Sequence, residues 1–315
     1  MTTFVNSISG VLIILVMIVV GYVLTKRGWF DAKTPSLIAK LVRQLALPCY
    51  MIFTITNRFT AAELGNMLPQ LRFPALSMVI LLAIAVGVAQ VFAVEKQHRG
   101  LFISMFFNSN TIFVGFPINQ ALFGDKSIPY VLVYYMCNTT FFWTIGTYLI
   151  QMDGQASPSF DWRDSLRKIF SPPLLGFILG VVLVLLGIHV PDFLMSDLQY
   201  LGNLTIPLSM LFIGMAIANA GLSQLRFNKD ILLVLGGRFI IAPLLMFLIV
   251  SHTPMPTLMK QVFILQSAMP VMTNAPVVAK LYGADADYAA IMVTESTLLT
   301  LLVVPILMSL VSLLG

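Results

Sequence analysis

Two stretches decide how this chain is read: Asn108-Ser109-Asn110-Thr111-Ile112-Phe113-Val114-Gly115-Phe116-Pro117 and Gln266-Ser267-Ala268-Met269-Pro270-Val271-Met272-Thr273-Asn274-Ala275-Pro276. Each interrupts a long apolar run with the most polar residues found inside any run. Proline removes a backbone donor and clashes with the preceding turn, so both runs are expected to break. Proline also suits the first position of a helix, so Pro117 and Pro276 are each expected to start a half-helix. Backbone groups freed by such breaks need partners from protein, trapped water or a ligand when hydrocarbon surrounds them.

The surroundings are hydrocarbon-like. The chain has 315 residues, 58% hydrophobic and 10% charged, with a mean hydropathy of +0.93. Soluble domains carry about 25% charged residues. The composition excludes an ordinary cytosolic enzyme, a disordered protein and a nucleic-acid-binding module. The net charge is only +5, and its residues sit between apolar runs instead of forming a basic face. Cys49 and Cys137 lie in apolar segments and support neither a disulfide framework nor a zinc cluster.

A helix needs about 20 residues to cross the bilayer core. Ten runs qualify, near 8–25, 36–56, 73–94, 101–123, 129–150, 170–189, 197–218, 230–251, 260–281 and 287–312. The first reads as a spanning helix, since Met1 to Gly10 has no Lys or Arg and no cleavage site follows the run. The loops after runs 1, 3, 5, 7 and 9 hold Lys26, Arg27, Lys33, Lys40, Lys96, Arg99, Arg163, Arg167, Lys168, Arg226, Lys229 and Lys280. The other loops hold only Arg58, Arg72, Lys126 and Lys260. Positive charge stays inside, so a cell-membrane protein with both termini outside is expected.

The chain matches itself at a shift of 159 residues. Gly21 meets Gly180, Gly28 meets Gly187, Pro48 meets Pro207, Pro117 meets Pro276 and Gly124 meets Gly283. Chance would give roughly one such Gly or Pro coincidence. The units are 1–156 and 157–315, five helices each. Five is odd, so the second unit threads the membrane in the opposite sense, a construction of secondary transporters. The fold class is therefore all-α and polytopic, with ten transmembrane helices in two inverted repeats.

The expected site lies between the two half-helix starts. Each carries about half a positive charge and unpaired N–H groups, which suits an anion. Asn108, Asn110, Thr111, Thr273 and Asn274, beside Pro117 and Pro276, are the candidate contacts. The competing reading is a pair of kinked helices whose polar side chains bond only to neighbouring helices. Pro48 and Pro207 sit in apolar surroundings and read as structural kinks, and Arg43 as a residue that snorkels to the interface. Glu295 is the only carboxylate well inside a run, with Arg238 at similar depth. They read as an ion pair, or Glu295 as a carrier of a coupling proton, or as a group reaching cytoplasmic water. No run holds paired aspartates, and His98, His189 and His252 fall in loops. No Walker A, GxSxG or HExxH motif is present, so neither an enzyme nor a cofactor is expected.

The chain resembles the auxin efflux carrier family, which includes plant PIN-type carriers and bacterial malate and malonate permeases. The resemblance rests on Leu-x-Leu-Pro-x-x-x-x-Phe at Leu45 to Phe53, on Asn108 to Pro117 with Gly115-Phe116-Pro117, and on Pro270 to Pro276 followed by Leu281-Tyr282-Gly283. It implies helices 4 and 9 crossing at their prolines beside an organic-anion site. It also implies a scaffold of helices 1, 2, 6 and 7, a moving group of helices 3–5 and 8–10, and a homodimer with elevator-like movement. Only about 18 residues join the halves, Gln151 to Lys168, which resembles the compact bacterial carriers of small mono- and dicarboxylates. An anion channel, a sodium-coupled carrier like the bile-acid symporters and a non-transporting membrane sensor remain as alternatives.

Overall fold

The computed structural model describes residues 2–31, 33–154, 161–220 and 228–311, and all regular structure in them is helical. In chain order the helices are α1 (Thr2–Lys26), α2 (Thr34–Arg58), α3 (Ala61–Val91), α4 (Arg99–Phe107), α5 (Thr111–Phe123), α6 (128–153), α7 (Trp162–Ile169), α8 (Pro172–Leu185), α9 (Asp192–Asn219), α10 (Lys229–Val250), α11 (Thr257–Ser267), α12 (Ala275–Tyr282) and α13 (Ala286–Val311). Among the described residues α2, α3, α9, α10 and α13 are long and apolar enough to cross a membrane, and α7 with α8, bent by 63°, would make a sixth span. Arg226, one of the expected inner basic residues, lies outside the described residues.

Two of the apolar runs are interrupted. The run near 101–123 becomes α4 and α5, and the run near 260–281 becomes α11 and α12. The second break falls where expected, with Pro276 at the second helical position. The first does not. Pro117 opens no helix: the chain leaves helical geometry at Asn108, and α5 begins at Thr111, six residues before Pro117. A widened π turn over Thr111–Gly115 explains the difference. The wider turn relieves the clash a proline ring makes with the carbonyl four residues back. The same device recurs at Val42–Ala46 before Pro48 and at Gly237–Ile241 before Pro243. Three prolines are thus carried inside continuous helices.

The four glycines with positive φ among the described residues are Gly28 (76°), Gly124 (71°), Gly187 (65°) and Gly283 (74°). They are the two pairs, Gly28 with Gly187 and Gly124 with Gly283, related by the 159-residue shift. Each follows a helix end, where a left-handed residue lacking Cβ stops the helix at low cost.

Packing divides the helices. α1 lies along the second half of α9, while α2 lies along α8 and the first half of α9. α3, α4, α6, α10, α11, α12 and α13 make most of their contacts with one another. Close approach at the α1–α9 crossing depends on glycine. A Cβ on Gly214 would lie 2.2 Å from the Ile18 carbonyl oxygen, and one on Gly21 would lie 2.6 Å from that of Leu211. Around Gly87 no atom lies within 4 Å of such a Cβ. Overpacking costs about 1–3 kcal/mol. Gly214→Val is therefore expected to lower the unfolding midpoint of the detergent-solubilised protein by several degrees, whereas Gly87→Ala leaves it within error. Equal midpoints for the two variants would contradict this account of the crossing.

Candidate functional site

The two broken segments meet. Ser109 and Val271 form an isolated antiparallel bridge, and the Asn110 amide donates to the Pro270 carbonyl at 2.8 Å. Such a contact exposes polar backbone on both chains, and buried side chains take it up. The Asn138 carboxamide, fully buried on α6, accepts from the Ser109 amide and donates to the Ser109 carbonyl, both at 2.8 Å. Its geometry copies that of a neighbouring strand. The Val271 amide donates to Ser296 Oγ on α13 at 3.1 Å. Gln266 Nε2 donates to the Thr111 carbonyl at 3.3 Å.

Arg238, with no exposed surface, lies behind the crossing on α10. It donates to the carbonyls of Phe106 (3.3 Å), Ser267 and Met269 (3.0 and 3.1 Å). These carbonyls belong to the last turn of α4 and to the segment ending α11. One guanidinium therefore joins both breaks, using the planar fork of donors that distinguishes Arg from Lys. Glu295, 2% exposed, precedes Ser296 on α13.

The crossing opens on a cavity of about 680 Å³. Asn110, Thr111, Thr273 and Asn274 line it, so the starts of α5 and α12 share one space. Asn110 caps α5: its Oδ1 accepts from the Phe113 amide at 3.1 Å. That bond fixes which end of the carboxamide is which. Nδ2, the donor end, is left facing Thr273 Oγ1 at 3.5 Å. Asn108 is placed elsewhere. It is fully buried, its Nδ2 donates to the Ser104 carbonyl at 3.1 Å, and it is not on the cavity wall. Pro117 and Pro276 shape the helices without lining the cavity.

A family model described as a membrane transport protein matches residues 7–308. An uncharacterized transporter of Methanocaldococcus jannaschii is 25% identical over 299 residues, covering 93% of this chain and 95% of the relative. An uncharacterized transporter of Methanothermobacter thermautotrophicus is 27% identical over 312 residues, covering 96% and 98%. The chain belongs to the auxin efflux carrier family. It is a multi-pass membrane protein of a transporter family, which sets a lipid bilayer and a transported substrate as its surroundings.

For this family member the cavity's other wall is cationic. Arg43 and Gln44 reach it from the π turn of α2, and Arg167 and Lys168 from α7. The one acid on the wall, Asp164, is held by Lys168 in an i,i+4 ion pair at 2.5 Å, and Lys168 also lies over the Trp143 ring at 4.9 Å. Tyr135 and Thr139 add hydroxyl groups from α6. Sequence reasoning missed Arg43 as a wall residue, although its place well inside an apolar helix was a signal. It also missed Asn138, whose signal was a lone carboxamide in an apolar run. Among the described residues no group of three His, Cys, Asp or Glu side chains could hold a metal ion.

Hydrogen bonds to a charged group contribute about 1.5–3 kcal/mol each, and orphaned buried carbonyls are costly. Arg238→Met is expected to destabilise the protein by more than about 3 kcal/mol, and Ser296→Ala by about 1 kcal/mol. Denaturant or thermal unfolding in detergent measures both. A wild-type midpoint for Arg238→Met would remove the guanidinium from its role at the crossing.

Proposed function

We propose that this protein is a secondary carrier of small organic anions, mono- or dicarboxylates such as malate or malonate, working by alternating access. The observation that carries the reading is the shared cavity: two helix starts and the amide-bearing Asn110 and Asn274 on one wall, Arg43 and Arg167 on the other. Helix N-termini favour negative charge. Carboxamides and hydroxyls donate to a carboxylate without the desolvation cost of a second full charge. Arg43 and Arg167 raise the local concentration of anions at the mouth. The substrate-binding set is Asn110, Thr111, Thr273 and Asn274, with Asn108, Pro117 and Pro276 shaping the strand-like crossing and the half-helices behind it.

In this reading ten segments cross the cell membrane as two inverted units, 1–156 and 157–315, with both termini outside. The paired positive-φ glycines support the repeat, since they mark the same helix ends in both units. The packing of α1, α2, α8 and α9 against one another supports a scaffold, and the mutual packing of α3, α4, α6 and α10 to α13 supports a group that moves against it, with α5 packed between the two. Movement of that group would carry the cradle past the scaffold, with Arg43 staying behind. In this reading the cationic mouth lies on the basic-loop side, and the state described is the inward-facing one.

Purified protein in liposomes should take up labelled malate or malonate. Asn110→Ala and Asn274→Ala should each slow uptake at least tenfold while leaving the unfolding midpoint near wild type, and wild-type rates in both would overturn the assignment. Arg43→Gln should raise the apparent KM and weaken its dependence on ionic strength.

Coupling is a separate proposal, motivated by Glu295, a carboxylate almost wholly buried in a membrane-crossing helix. We assign it the coupling proton. Glu295→Gln should then retain exchange but lose accumulation driven by an imposed pH gradient. Normal accumulation would show that the proton travels elsewhere.

A further inference from the structure

Away from the cavity, a polar network that plays no part in the site joins α2 to the end of α5. Tyr50, on α2 and 4% exposed, donates its hydroxyl to Asp125 Oδ1 at 2.5 Å. Gln120, in the last turns of α5, donates Nε2 to the Tyr50 hydroxyl and to Asp125 Oδ1 (3.0 Å for the latter). Arg58, the last residue of α2, reaches Asp125 Oδ2 at 3.5 Å. Asp125 itself follows the positive-φ Gly124 that ends α5. Tyr50 also stands edge-on to Phe116, with ring centroids 5.2 Å apart.

Both elements run from the cavity to this network. On α2, Arg43 lines the cavity and Arg58 closes the network, about 22 Å further along at 1.5 Å per residue. At the start of α5, its cap Asn110 and Thr111 line the cavity, and near its other end Gln120, with Asp125 just beyond the helix, lies in the network. One pair of helices is therefore parted at one end, where the cavity lies, and bonded at the other.

We infer that Tyr50, Gln120, Asp125 and Arg58 form a latch that holds α2 against the end of α5 and keeps the far side of the site closed. It rests on the alternating-access reading above. Its chemistry suits a reversible joint. Asp125 and Arg58 keep a third and about half of their side-chain surface in water, so both are hydrated again when the contact parts. A salt bridge this exposed contributes little by itself. The holding strength comes from the Tyr50 and Gln120 bonds to one carboxylate oxygen, which are charge-assisted. Opening the far side requires the moving group to withdraw Gln120 and Asp125 from Tyr50. Removing the bonds should then populate the alternate state without touching the anion cradle.

The test uses Thr54→Cys as a reporter, in a chain with Cys49 and Cys137 replaced by serine. Thr54 lies one turn beyond Tyr50 on α2 and is 1% exposed. In liposomes, a membrane-impermeant maleimide applied from the Arg58 side should label the reporter slowly when the latch is intact. Tyr50→Phe, which removes one oxygen and keeps the ring, and Asp125→Asn should each raise the labelling rate about tenfold or more. Labelling needs no substrate, so the latch and the carrier reading fail separately. Faster labelling with no transport of any anion supports the latch and removes the carrier, whereas unchanged labelling in both variants, with transport intact, overturns the latch.

Discussion

The constraint on which the rest depends is the satisfaction of backbone polar groups where two apolar helices stop in mid-course. Hydrocarbon offers no partner to a free carbonyl or amide, and each orphan costs several kcal/mol. Among the described residues, buried side chains meet much of this demand at the crossing. Asn138 holds both polar atoms of Ser109, Ser296 takes the amide of Val271, and Arg238 takes carbonyls from both breaks. The bridge of Ser109 with Val271 then joins the segments directly. Once these atoms are occupied, the starts of α5 and α12 have a fixed relation to each other, and the cavity wall they form is preorganised.

That order of assembly explains the chemistry of the wall. Arg238 is spent on carbonyls, so the strongest cation near the crossing serves structure and is turned away from the cavity. What faces the cavity from the crossing is neutral: carboxamides, hydroxyls and helix starts. The full positive charges stand on the opposite wall, on α2 and α7. Under the carrier function proposed above, such a division has a reason. A bound anion that must travel with the cradle is better held by dipoles than by a buried salt bridge, whose breaking leaves an uncompensated charge. Charges at the mouth can still gather anions from solution.

Much of this was legible in residues and spacing. The composition fixed a membrane setting, and the polar, proline-bearing stretches marked both interruptions. The 159-residue shift paired the glycines that turn out to carry positive φ. Pro117 departs from the expectation because a proline inside an apolar run can be carried within a helix as well as start one. The wide turn at Thr111–Gly115 admits the ring instead, and the break is set by Asn108 to Asn110 with Asn138. Nothing local to that stretch announces a partner 29 residues away. Arg43, expected to snorkel, is exposed and also lines the cavity. A basic residue within an apolar helix can snorkel or line a cavity, and only the packing of α7 and the crossing around it decides.

The two breaks are also unequal, and the inequality has a consequence. α5 has 13 residues from Thr111 to Phe123 and a side-chain cap from Asn110, whereas Asn274 makes no cap hydrogen bond at the start of the eight-residue α12. In α5 the cap consumes an acceptor and turns the donor end of Asn110 outward. In α12 the Asn274 carboxamide makes no such cap bond. The first wall thus presents a donor in a direction set by its cap, while no cap bond orients the second. Sites built from one fixed and one adaptable contact accept a series of related ligands, because only the adaptable side must reorder for each. Under the carrier function proposed above, small carboxylates of differing length would share such a cradle.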